Sequence, residues 1–137
     1  MKVAGLRASR ELVGGIVFFG RTLDKIRLHA AGRLPSDYNR GHGLDRRVCC
    51  FLKIDYEALV SKALSEPNDM KILDWCFETG RRPSDEEIFV FNSFMVKRGW
   101  KDDISTWVAE QKEIMGLSHR ADIQTAFDIH DADEDRT

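Results

Sequence analysis

The chain has 137 residues, 42% apolar and 32% charged, with only 10 glycines and 3 prolines, which excludes a disordered, collagenous or low-complexity polymer and leaves the composition of one globular domain spanning 1–137. The longest uncharged apolar stretch, Leu12 to Phe19, is far short of the roughly 20 residues of a membrane span, so no membrane contact is expected. The formal charge of −2 conceals an asymmetry: residues 1–53 carry 11 Lys and Arg against 4 Asp and Glu, whereas residues 54–137 carry 10 against 19. Either the basic third meets an external anion, or the two parts neutralise each other inside one fold; the dispersed basic residues favour the second.

In chain order, the segment GGIVFFGRTLDKIRLHAAG sets Phe19, Leu23, Ile26 and Ala30 on one helical face, with Gly32 as its C-terminal cap. Residues 33–44, RLPSDYNRGHGL, show no period and form the one long loop. Asp45 caps a short helix with Val48, Phe51 and Leu52. Asp55 caps the next, which ends before Pro67, and Asn68 opens a helix that stops at Gly80. PSDEE is the clearest local pattern. Ser84 stands three residues before Glu87, and Ile88, Phe91 and Met95 follow at helical spacing up to Gly99. A further helix runs from Asp103 to Gly116, a last short one lies around Asp122, and the acidic tail 131–137 is expected to fray. Six or seven segments fit a period of 3.6 and none alternates as a strand does. The fold class is therefore all-α, a compact helical bundle.

Nucleotide, hydrolase and zinc-protease signatures are absent, so no enzyme class and no cofactor is indicated. The acidic HDADED lacks the glycine and closing glutamate of a calcium loop, and the four histidines show no i, i+4 pairing, so no metal site is expected. Three cysteines cannot build an even disulfide framework and fit a reducing cytoplasm; the N-terminus makes a poor signal peptide. On a helix, Cys49 and Cys50 diverge by about 100°, which places one in the core and leaves the other incidental. Trp75, Trp100 and Trp107 fall in apolar helical patterns and are expected in the core, Trp100 being the candidate exception.

One pattern points to chemistry. Arg21, Lys25 and His29 recur at i, i+4 and i+8, a stripe of cations pointing away from the Phe19/Leu23/Ile26 face. Asp24 and Asp45 are its natural internal partners. The expected site is a pocket for a small anion bordered by Arg21, Lys25 and Arg27 and closed by the 33–44 loop, with Tyr38 and His42 reaching in. Asp24, Asp45 or His42 would be available for proton transfer. The alternative is a non-enzymatic homodimeric interaction module that buries Leu12–Phe19 or an aromatic helix against a partner. Nucleic-acid binding is argued against by the acidic remainder of the chain.

From about Arg10 onward the sequence resembles the bacterial domain-of-unknown-function family numbered five thousand and sixty-nine. The likeness rests on Gly14 and Gly15, on Arg21, Leu23, Asp24, Lys25 and Arg27, on Ala31 and Gly32, on Leu44 and Asp45, and on the closing Asp131, Asp133 and Glu134. DYNRGHGL stands where several members carry a Tyr-x-Tyr/His-Asn-Cys-Pro loop. The resemblance implies a small, mostly helical bacterial protein and brings no activity with it.

Overall fold

The glycine pair at 14 and 15 turns the chain instead of opening a helix. In the computed structural model, which describes residues 1–136, strands β1 (Leu12–Val13) and β2 (Ile16–Val17) pair antiparallel, Val13 opposite Ile16. Gly14 and Gly15 have φ of +58° and +80°, the left-handed pair that a two-residue hairpin turn requires and that side chains resist. Two-residue strands are too short to show alternation, which is why this hairpin has no periodic signature.

Among the described residues seven helices follow. They are α1 (Phe19–Ala30), α2 (Leu44–Leu52), α3 (Tyr56–Ser65), α4 (Asp69–Thr79), α5 (Asp85–Lys97), α6 (Ser105–Ile114) and α7 (Ala126–Asp133). The fold is mostly helical, as the spacing predicts, and no described helix is long and apolar enough to cross a membrane. Several boundaries are set by side-chain caps. Asp55 accepts from Ala58 N–H, Asn68 from Lys71 N–H, and Ser84 and Glu87 form the reciprocal capping box expected of PSDEE. Asp45 is not a cap. It lies inside the first turn of α2, fully buried, with its carboxylate turned to α1 and the loop. Asp122 likewise opens no helix but pairs with Arg120, and α7 starts later on a Thr125–Asp128 capping box.

Helix α1 is the axis of the molecule. Every residue from Phe19 to Ile26 is buried, and α1 packs on β1, α2 and α3. Phe19, Leu23, Leu52, Leu59, Ile72, Leu73, Met95 and Phe127 are fully covered in one apolar cluster, each stabilising the fold by roughly 1.5–3 kcal/mol relative to exposure. Cys49 joins this core while Cys50 faces outward, as their angular separation predicts; both they and the buried Cys76 are free thiols.

The 33–44 loop and the C-terminal residues cover the Arg21/Lys25 part of the stripe: Arg21 is 3% and Lys25 5% exposed. The acidic C-terminal segment supplies part of this cover. Asp131 pairs with Arg10, and Glu134 is 2% exposed against Arg21; Thr137 lies outside the described residues. Four basic residues of the first third, Arg7, Arg10, Arg21 and Arg27, thus pair with carboxylates of the remainder.

Candidate functional site

Phe18, the residue before α1, sits at φ +69°, a left-handed conformation that costs a non-glycine residue about 1–2 kcal/mol. Its N–H donates to Ser9 O at 2.9 Å, and its ring stacks on Phe127 at 5.8 Å. The His130 ring lies 6.1 Å away, and two cations also approach the Phe18 ring. The Arg21 guanidinium lies 5.9 Å from its centre and the Lys25 ammonium 5.2 Å.

Arg21 grips Glu134 through both terminal nitrogens, at 2.8 and 2.5 Å, and donates to Arg7 O at 3.1 Å, while its Nε has no partner. Tyr38 Oη donates to the same carboxylate at 2.9 Å and Arg136 Nε at 3.1 Å. Burial alone would raise the Glu134 carboxyl, but the bidentate Arg21 contact and the other donors hold it below the ordinary carboxylate range. Tyr38 shifts upward, through burial and the phenol's hydrogen bond to Glu134.

Lys25 forms the second buried pair. Its Nζ is 2.9 Å from Asp45 Oδ2 and donates to Asn39 O at 2.9 Å, while Asp45 also receives Thr22 Oγ1–H at 2.8 Å and Gly41 N–H at 2.9 Å. These bonds pin the middle of the loop to α1. Burial lowers the Lys25 pKa, with Asp45 opposing.

Between these pairs and α6 lies a cleft made of two adjoining cavities of about 210 and 540 Å³, the larger within the size range of small-molecule sites. Phe18, Lys25, Asn39, Trp107, Gln111 and His130 border both. Arg21, Tyr38 and Glu134 line the smaller and His42 the larger. Asp45 stands behind Lys25, not at the surface of the cleft. Asp24, Arg27 and His29 are elsewhere. Asp24 is clamped by Arg7 at 2.9 Å, Arg27 reaches Asp69 at 2.8 Å, and His29 is exposed near the end of α1.

Phe18, Trp107, Gln111, His130 and Glu134 belong to the cleft without having been singled out by spacing. Trp107 is not a core residue, and Trp100 is exposed as well. The register of α7 is the local signal for His130 and Glu134: counted from the Thr125–Asp128 box, Phe127, His130 and Glu134 fall at i, i+3 and i+7, on one face.

His130 Nδ1 is held at 2.7 Å by the fully buried Ser9 hydroxyl, and Nε2 has no protein partner among the described residues. Burial first, then the positive charges of Arg21, Lys25 and Arg10 against the opposing Glu134, depress the imidazole to about 3 from its ordinary 6.5. Between those values the unfolded chain binds a proton that the folded chain refuses, so stability falls as pH drops below 6.5, by roughly 1 kcal/mol per pH unit. Urea midpoints at pH 7, 6 and 5 test this: the slope flattens in His130→Gln, and equal slopes in both proteins would mean that the ring titrates freely.

Among the described residues no three His, Cys, Asp or Glu side chains lie close enough together to hold a metal ion. No curated protein matches the chain. The family model described as Domain of unknown function (DUF5069) matches residues 3–136, nearly the whole sequence and including every side chain of the cleft, so the chain belongs to that family.

Proposed function

We propose that the cleft binds a small metabolite through an anionic group, with Lys25 as the contact that receives it. One observation carries this reading. An ammonium has three N–H donors, Lys25 has two oxygen partners, and the group borders both cavities although it is almost fully buried. One donor remains for a ligand oxygen, in surroundings of low dielectric where a hydrogen bond counts for more than in water.

The charges around the cleft narrow the class. Arg21 cancels Glu134 and Lys25 cancels Asp45, while Asp37 and Asp133, which also line it, make no ion pair among the described residues. A dianion such as phosphate is repelled by that rim. A monocarboxylate that also carries an amine satisfies both, its carboxylate on Lys25 and its ammonium toward Asp37 or Asp133. Phe18 and Trp107 offer the apolar walls for the remainder. His130 Nε2 adds a neutral hydrogen-bonding group, since the imidazole stays uncharged at physiological pH. The three free thiols, two of them buried, support a reducing cytoplasm as the place of action. Nucleic acid is disfavoured as a partner because Arg7, Arg10, Arg21 and Arg27 are all spent on internal carboxylates.

A thermal-shift panel of amino-carboxylates, simple carboxylates and inorganic phosphate tests the reading. An amino-carboxylate at about a hundred times its Kd adds roughly 2.7 kcal/mol, or about 8 °C in Tm for a chain of this size. The shift is lost in Lys25→Met and kept in Lys53→Met. No shift from any amino-carboxylate, or an equal one in Lys25→Met, removes the proposal.

A further inference from the structure

Helix α5 presents a bare apolar face on a surface that shares no residue with the cleft. Phe89, Val90 and Phe94 are 65%, 58% and 42% exposed and lie within six residues of one another. Next to them runs an open groove of about 630 Å³, with Cys50, Phe51, Val90, Phe91 and Phe94 along it. Isolated exposed apolar residues are ordinary, but a contiguous set beside a groove marks a contact surface.

The charges bordering the groove indicate what covers it. Arg81 and Glu87 are satisfied within the chain, paired at 2.6 Å, with the Arg81 guanidinium also over the Phe51 ring. Arg47 and Glu86 are left. Both are exposed, both line the groove, and among the described residues neither makes an ion pair. The Arg47 guanidinium lies 5.5 Å from the centre of the Phe94 ring, so charge and apolar surface are presented together.

A partner of uniform charge would satisfy one of these residues and repel the other. A partner bearing the same two groups around the same apolar strip satisfies both, because a two-fold axis that sets Arg47 of one copy against Glu86 of the other makes the reciprocal pair as well. We propose that this face is a homodimer interface: a second copy of the chain docks α5 against α5, burying Val90 and Phe94 and closing two Arg47–Glu86 pairs across the axis. This goes beyond the cleft reading and is independent of it.

Native mass spectrometry and sedimentation equilibrium of the full chain test the proposal. The wild type sediments at twice its 15.7 kDa mass. Val90→Glu sediments as a monomer and keeps the wild-type circular dichroism spectrum, since Val90 lies mostly outside the core, and its melting temperature loses the concentration dependence that the dimer shows. Glu86→Arg places like charges opposite each other and raises the dimer Kd by about tenfold. Combining it with Arg47→Glu reverses the pairs and restores wild-type affinity. A wild type that stays monomeric at its highest soluble concentration overturns the proposal. So does a dimer indifferent to Val90→Glu, or a double variant no better than Glu86→Arg alone; any of these means that a different partner, or none, covers α5.

Discussion

A Glu134→Ala chain loses about 3–5 kcal/mol of folding stability, a large part of the total typical of a single domain. The loss is not the value of the Arg21–Glu134 pair itself, since two buried charges nearly repay their own desolvation. It is the cost of leaving the Arg21 guanidinium, 3% exposed and with its Nε already unpartnered, without a counter-charge. Tyr38 loses its acceptor in the same change. Urea denaturation of the single variants and of Arg21→Met/Glu134→Met checks this, because removing both charges together costs much less than the two single losses added. Simple additivity would mean that the charges act separately. The pH dependence has a defined sign. Since the folded carboxyl lies below its unfolded value of about 4.5, its contribution is complete above that pH and is lost as pH falls through the folded value.

Gly80→Ala is the other severe change, expected to cost more than about 4 kcal/mol. A methyl group at this position would stand 2.0 Å from Leu52 O and 2.7 Å from Lys53 O. Both obstacles are backbone, and Leu52 O already accepts Arg81 N–H at 3.1 Å, so neither can move without separating the end of α4 from the end of α2. Gly32→Ala is the control. Its added methyl meets nothing, and only the left-handed φ of +69° is penalised, by about 1–2 kcal/mol. Gly80 itself has φ −99°, where alanine meets no left-handed strain, so equal losses in the two variants would mean that local movement relieves the collision.

Local chemistry was legible wherever a side chain answers its own backbone. Asp55, Asn68 and the Ser84–Glu87 box declare their helices within four residues, and the structure keeps them. What spacing could not reveal is what lies over a helix once it has formed. The Arg21/Lys25 stripe shows that one helix has a polar side, but its pairing with Glu134, 113 residues away, leaves no local signal. An acidic tail reads as soluble for the same reason, its partners being Arg10 and Arg21. Half of the expected site survives as neighbours in space, Arg21, Lys25, Tyr38 and His42, because one helix and the loop after it are enough to gather them. Asp45 stays with the group as the buried partner of Lys25, whereas Asp24, Arg27 and His29 are near only in sequence: on α1 they turn to Arg7, to Asp69 and to solvent.

The Arg21–Glu134 pair spans 113 residues of chain and the Arg10–Asp128 pair 118. On a ribosome adding about 5–20 residues per second, Arg21 waits roughly 6–23 s for its acid, far longer than a helix takes to form. Throughout that interval the guanidinium must remain hydrated, which keeps α1 from settling into its final bed. The floor of the cleft is accordingly one of the last parts of the molecule to be assembled, and a nascent chain stalled before Glu134 would present the Phe18 ring and its cations to whatever folding helper reaches them first.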